Sequence, residues 1–191
     1  MSERNTLVRS LHDLGMAAWF GGSLMGATGL NGATSKAADP RERLRLSTSG
    51  WGLWTPWQVG AVAAHTVGGV GLLVSNRSRL KHQAAAGPLT WAKLALTVVA
   101  AGSTAYSGVL GAKLKLHEGE NVEGATEPNP AADESLKAAQ KQLKILQWAI
   151  PTLTGVLVVM GAVEGEQQRG PAGLLDTTRA AAQKAFAGIV N

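Results

Sequence analysis

The amino-acid sequence predicts an all-α fold, an integral membrane four-helix bundle with two helical appendages. Four stretches contain no charged residue, and each is long enough to cross a bilayer, whose hydrocarbon core of roughly 30 Å needs about 20 helical residues. These stretches are residues 14–35, 46–76, 94–112 and 145–163. The mean hydropathy of +0.04 hides them, because the charged residues are concentrated in the connections.

The stretches give a domain organisation for the 191 residues. We predict a four-span transmembrane domain over residues 1–170, with spans at about 10–32, 55–76, 91–113 and 145–164. Residues 171–191 are predicted to form a separate C-terminal amphipathic helix.

Composition excludes several functions. The chain has no cysteine, so it has no disulfide, thiolate metal site or iron–sulfur cluster. The net charge of +5 comes with basic residues that flank the spans, which indicates anionic lipid headgroups as partners rather than nucleic acid. No nucleophile–base pair, phosphate loop or carboxylate pair has a meaningful spacing near the spans, so we predict that the chain is not an enzyme.

Basic residues suggest the orientation in the membrane. With four crossings, each side carries nine of the 18 Lys and Arg residues. The connection between the second and third spans, however, is short, cationic and free of acids around Arg77, Arg79 and Lys81. Since dense basic charge in a short loop favours the cytoplasmic side, we predict a plasma-membrane protein with both termini in the cytoplasm.

The first helix is expected to begin near Thr6, before the membrane. Small residues then recur every four positions on three of the spans, which lets helix backbones approach closely. We therefore expect a compact bundle with little space for a large central cofactor. The three ridges are Ala18, Gly22 and Gly26; Gly60, Ala64 and Gly68; and Ser103, Ser107 and Gly111.

The second span is preceded by a basic amphipathic turn that opens at Asp39-Pro40, and tryptophans follow it at three-residue spacing. Tryptophan at the edge of a span is typical of the membrane interface, so we predict an interfacial belt. The alternative is a platform on which a quinone or another ligand stacks. The predicted interfacial residues are Trp51, Trp54, Trp57, Trp91 and Trp148.

The connection over residues 118–134 is rich in Glu, Gly and Pro and is predicted to be an exposed loop. Asn129 before Pro130 is expected to cap the fourth helix, which would begin well outside the membrane and kink at Pro151. In the C-terminal segment, an apolar face is predicted to dock on the membrane or on a partner. That face includes Leu175, Phe186 and Ile189.

Two histidines are the candidate functional residues. His65 is predicted to lie near the midplane of the second span, as a proton relay or a ligand for a metal or haem, or else as a neutral histidine bonded to a neighbouring helix. His12 and Asp13 are expected at the interface, where such a pair is usually solvated. Because we expect the two histidines at different depths, a haem ligated by both is disfavoured.

Two resemblances accompany these residues. His12 and Trp19 with the glycine pair Gly21 and Gly22 resemble the pattern that opens a span in copper-resistance D type membrane proteins. That resemblance implies a metal or haem contact at His12, although the lack of cysteine and the few methionines in the spans give little support for a copper path.

Over its whole length the chain resembles an uncharacterised actinobacterial family of four-helix membrane proteins. The resemblance implies an origin and an architecture and no activity. It rests on residues 11–31, 39–43, 106–113, 124–127, 147–151 and 165–168.

Three functions remain open. The first is a non-catalytic accessory or scaffold subunit of a larger membrane complex, for instance a respiratory one, whose partners are the lipid bilayer and other membrane subunits or further copies of the chain. The second is a haem-, metal- or quinone-binding membrane protein that uses His65 or His12. The third is a small transporter, which the compact packing disfavours.

Overall fold

The computed structural model describes residues 6–75 and 86–169, and all regular structure in them is helical. Helix α1 (Thr6–Met25) continues without a break through a π-helical turn (Gly26–Leu30) into the last α-helical turn, α2 (Asn31–Thr34). Helices α3 (Pro40–Ser75), α4 (Ala86–Lys115) and α5 (Glu134–Arg169) follow. The all-α prediction is confirmed for the described residues, which form four helical segments.

Three of these segments are long and apolar enough to cross a membrane: Pro40–Ser75, Pro88–Lys115 and Glu134–Gly165. The first predicted span is not among them. Its helix carries Arg9 and Asp13 near one end, and many of its other residues are Gly, Ser, Thr or Ala, which lower its mean hydropathy. The described helices are consistent with a membrane protein, and a fourth crossing stays a prediction.

The chain divides into two compact units, Met1–Leu157 and Val158–Asn191. The described part of the second unit is the carboxyl end of α5, through Arg169. The predicted C-terminal helix at 171–191, with its docking face, lies outside the described residues.

Helices α1 and α3 pack as an antiparallel hairpin joined by a short turn at residues 35–39. Val8 contacts Gly71 at one end of the pair, and Leu30 contacts Gly50 at the other. Between these contacts the two backbones approach so closely that a Cβ added to Gly15 would lie 2.5 Å from the backbone nitrogen of His65. Glycine is therefore required there by the distance between the helices.

The predicted small-residue ridges are confirmed only in part. Gly68 lies against the backbone of His12, whereas Gly22 and Gly26 lie against tryptophan rings of α3. Gly60 and Gly111 have open space where a Cβ would be. On α1, glycine thus makes room for large aromatic rings as well as for close backbone packing.

The described part of the chain forms two apolar cores, and the second includes a loop residue. One core consists of Met16, Trp19, Ala61, Ala100 and Leu157. The other consists of Leu44, Leu110, Leu114, Val122, Leu136 and Ala139.

The prediction that residues 118–134 form an exposed loop is wrong over its middle. Val122 is fully buried, and Ala125 and Thr126 are each only 3% exposed. The guanidinium of Arg43 donates to the carbonyls of residues 122 and 123, and the side-chain amide of Gln140 donates to those of 124 and 125. These bonds satisfy the loop backbone and hold it over the ends of α3 and α5.

The start of α5 also differs from the prediction. The side chain of Asp133, rather than that of Asn129, accepts the backbone N–H of Ser135 at 2.7 Å and caps the helix. Asn129 instead closes a local turn by accepting the N–H of Ala131. Pro151 lies inside α5, as predicted.

Candidate functional site

His12 of α1 and His65 of α3 face each other inside the hairpin. Their ring centroids are 4.1 Å apart with the planes inclined at 43°. His12 is 8% exposed and His65 only 3%. The prediction that the two histidines lie at different depths is therefore wrong, because the antiparallel register brings position 12 opposite positions 65 to 68.

Hydrogen bonds assign the protons of both rings. Nδ1 of His65 lies 3.2 Å from the backbone carbonyl oxygen of His12, and Nδ1 of His12 lies 2.9 Å from a carboxylate oxygen of Asp13. A carbonyl or an ionised carboxylate can only accept, so both Nδ1 atoms donate. In its neutral form each imidazole then carries its lone pair on Nε2.

Trp19 forms one wall of the site. It is fully buried, and its ring meets that of His65 edge-on with the centroids 6.0 Å apart. Its indole N–H donates to the hydroxyl of Thr104 on α4 at 3.1 Å. This bond satisfies the only polar group of the indole and ties the hairpin to α4.

The wall beside His12 has no side chain. Gly68 lies against the backbone of His12, and a Cβ added to Gly69 would lie 3.3 Å from Cδ2 and 3.8 Å from Nε2 of the His12 ring. Nε2 of His12 is therefore on the side that faces the glycine pair. Any larger residue at position 69 would approach this nitrogen.

Charged groups border the histidine pair. The side chain of Asp13 is 65% exposed, so the site reaches the protein surface next to His12. Lys93 of α4 is within electrostatic range of His65. Among the described residues, no group of three or more His, Cys, Asp or Glu side chains could hold a metal ion.

A second buried polar cluster centres on Asn31, which the sequence analysis did not single out. Its side-chain oxygen accepts from Ser47 at 3.1 Å and from the indole of Trp51 at 2.9 Å, and its amide nitrogen donates to Gln147 at 3.0 Å. The π turn ends at this residue, whose N–H bonds to the carbonyl of Gly26 five positions earlier. In the sequence, the polar residues Asn31 and Gln147 within two apolar stretches are the feature that could have indicated this cluster.

The tryptophans predicted for the interface have different surroundings. The ring edge of Trp54 packs against Gly22 of α1 and that of Trp51 against Gly26 of the π turn, and the Trp54 indole donates to Gln58 at 2.6 Å. Trp57, Trp91 and Trp148 are 71%, 74% and 51% exposed. An interfacial position for the five residues stays a prediction.

Within residues 6–75 and 86–169, two buried side-chain atoms have no hydrogen-bond partner, the amide nitrogen of Gln58 and the amide oxygen of Gln140. The amide oxygen of Gln58 accepts from the indole of Trp54, and the amide nitrogen of Gln140 donates to the α4–α5 loop.

Comparison with protein-family models, curated proteins and solved structures finds no match to this chain.

Proposed function

We propose that the chain is a multi-pass plasma-membrane protein, a four-helix bundle with both termini in the cytoplasm. The support is the length and apolar composition of α3, α4 and α5. Helix α4 also exposes a series of large apolar side chains that a bilayer would cover, as it would cover the surface of any membrane bundle. These are Trp91, Val98, Val99, Tyr106 and Val109.

Within that bundle, we propose that the histidine pair binds a small cofactor of the haem, metal or quinone class. The observation that carries the proposal is the 4.1 Å separation of the His12 and His65 rings in a buried setting. Ionisable residues at membrane depth are costly and are typical of functional sites. Each neutral ring keeps one nitrogen as a ligand or proton acceptor.

The test is native mass spectrometry with an absorption spectrum on protein purified from its host in a mild detergent. We expect an added mass in the wild type that is lost in His12→Ala and in His65→Ala. His117→Ala is the matched control, because His117 bonds to Glu120 at 2.7 Å in the loop after α4 and lies outside the pair. Bare wild-type protein, or an added mass that survives both substitutions, would refute the proposal.

A second proposed function is an accessory or scaffold subunit of a larger membrane complex. It is supported by the ordered loop between α4 and α5, which gives the ends of α3 and α5 a fixed polar surface. Such a surface can dock a partner with little loss of conformational freedom. The same native mass spectrum tests this function, since a heavier assembly supports it. A bare monomer after gentle extraction would count against it.

A further inference from the structure

We propose that the outward face of α4 packs against the same face of a second copy of the chain, so that two copies form a parallel dimer in the membrane. The inference rests on the proposed membrane location of α4 and is independent of the histidine pair. It depends on the residue pattern of this face, on the order of side-chain sizes along it, and on its continuation past the charged end of the helix.

The outward face of α4 carries one line of exposed apolar residues, which we call the α4 seam. Spacings of four and three positions alternate along it, and this repeat keeps residues on the side of a helix that packs against another helix. Every residue of the seam is exposed, including Trp91 at 74%, Val98 at 71% and Val109 at 55%. The seam runs through Trp91, Ala95, Val98, Gly102, Ala105 and Val109 and continues to Ala112.

The seam lies on the side of α4 that is turned away from the rest of the bundle. Ala100 and Leu114, which belong to the two apolar cores, lie on the opposite side of the helix. Lys93 is the one charged residue between positions 88 and 112, and it lies on that opposite side, within electrostatic range of His65. Only 11% of the apolar window of α4 is buried, against 22% for α3 and for α5. The seam is therefore an uncharged face that a single copy leaves without a protein partner.

The side chains of the seam are ordered by size as two crossing helices require. Neighbouring membrane helices commonly cross at about 20°. At a crossing beside Gly102 the two backbones can approach closely, because an added Cβ at this residue would meet nothing within 4 Å. The larger Val98 and Val109 flank that point. At Trp91, about 16 Å along the helix, the axes have separated sideways by about 6 Å, and the largest side chain of the seam lies where the gap is wider.

The seam continues beyond the part of α4 that lipid can cover. Leu116 follows Ala112 by four positions and is 85% exposed. It lies past Lys113 and Lys115, and its N–H donates to the carbonyl of Lys113 at 3.1 Å, which extends the helical turn. A bilayer that covers the apolar part of α4 leaves this leucine in water. Two copies in one membrane have the same orientation, so a second seam would run beside the first and cover its whole length.

The first experiment is disulfide cross-linking of full-length single-cysteine variants in membranes of the host. The chain has no cysteine, so each cross-link reports one introduced position. We expect a linked dimer for Gly102→Cys and Ala105→Cys, because a disulfide needs Cα atoms about 4.4–6.8 Å apart. Val99→Cys is the matched control, since Val99 is 54% exposed on α4 but lies off the seam, and it should cross-link at least 10-fold less.

The second experiment measures association by energy transfer between labelled full-length copies in liposomes that are progressively diluted with lipid. Gly102→Leu should associate at least 10-fold more weakly than the wild type. Gly60→Leu on α3 is the control and should associate like the wild type, because an added Cβ meets nothing within 4 Å at either glycine and neither change disturbs the single copy. Leu116→Ser should weaken association by about 5-fold, since it removes apolar contact outside the membrane.

A wild type that stays monomeric at every lipid dilution would overturn the proposal, as would a Gly102→Leu variant that associates like the wild type. Cross-links from Gly102→Cys to a different protein would exclude a second copy as the occupant and support the accessory-subunit function instead. A chain absent from the membrane fraction would refute the proposed membrane location together with this inference. A membrane-bound monomer would refute the inference alone.

Discussion

Gly15→Ala should separate α1 from α3 at the histidine pair. The added Cβ would lie 2.5 Å from the nitrogen of His65 and 2.6 Å from the carbonyl oxygen of Ala61, and both are backbone atoms that cannot rotate away. Ordinary contact begins near 3.4 Å, so the helices must move apart by about 0.9 Å or the α1 backbone must distort. Overpacking of this kind costs about 1–3 kcal/mol.

Gly21→Ala is the matched control on the same helix, because nothing lies within 4 Å of its added Cβ. Alanine is a better helix former than glycine by roughly 0.5–1 kcal/mol, so this variant should be as stable as the wild type or more so. The assay is the free energy of unfolding in mixed micelles, followed by circular dichroism. Equal stabilities of the Gly15→Ala and Gly21→Ala variants would refute the close backbone contact and, with it, the spacing of the histidines.

Three further predictions concern the polar contacts. Asn31→Ala removes a side chain that Ser47, Trp51 and Gln147 share as a hydrogen-bond partner. The free energy of unfolding, measured in the same micelles, should fall by about 1–3 kcal/mol, and no loss would mean that the cluster is not formed. A double-mutant cycle of Trp19→Phe and Thr104→Val measures the hydrogen bond from the Trp19 indole to the Thr104 hydroxyl. The coupling energy should be about 0.6 kcal/mol and at most about 1.7 kcal/mol, and additive losses of stability would argue against the bond. Hydrogen bonds from the hydroxyl and the backbone N–H of Ser135 lower the pKa of Asp133 from its ordinary value of 3.8. The ionised carboxylate therefore stabilises the fold above pH 3.8, and this stabilisation is lost as the pH falls through the lowered pKa. In Asp133→Asn, the free energy of unfolding should therefore depend less on pH between pH 5 and 2, and the difference from the wild type should correspond to the titration of about one proton at most. An unchanged pH profile would contradict the assignment of the cap.

The all-helical fold and the approximate positions of the helices could be predicted from the sequence. They depend on long apolar stretches, which can be recognised from neighbouring residues alone. The predicted spans 91–113 and 145–164 lie within α4 and α5, and the span 55–76 lies within α3 up to its last described residue, Ser75. The helices themselves are longer, since α3 begins 15 positions and α5 11 positions before the predicted span. The first predicted span is less apolar than the other three because it is rich in small residues, and some of these, such as Gly15, let its helix approach α3 closely.

The loop before α5 could not be predicted, because its burial comes from distant residues. Composition alone indicates an exposed segment around Val122, since Glu, Gly and Pro dominate it. Its carbonyls are satisfied by Arg43, which lies about 80 positions earlier, and by Gln140 in the following helix. Neither partner has a spacing pattern that connects it with the loop.

The histidine pair could not be predicted for a different reason. The distance of each histidine from the expected membrane boundary gives its depth along its own helix, whereas the relevant quantity is the register of α1 on α3. A turn of only five residues, 35–39, joins the two helices and restricts that register. The same register places Leu30 against Gly50 and Gly68 against His12, and all of these contacts change together if one helix slides.

This coupling gives the glycines a role beyond packing. If α1 slid along α3 by one helical turn, about 5.4 Å, the shift would be larger than the 4.1 Å that separates the two histidine rings, so the rings would no longer face each other. The same shift would separate Trp51 and Trp54 from the glycines against which they pack. Gly15 and Gly68 oppose such sliding because, at these two positions, the opposing backbone lies against the glycine where a Cβ would be. The two histidines lie on different helices, so their relative position is set by the interface that brings the two helices together.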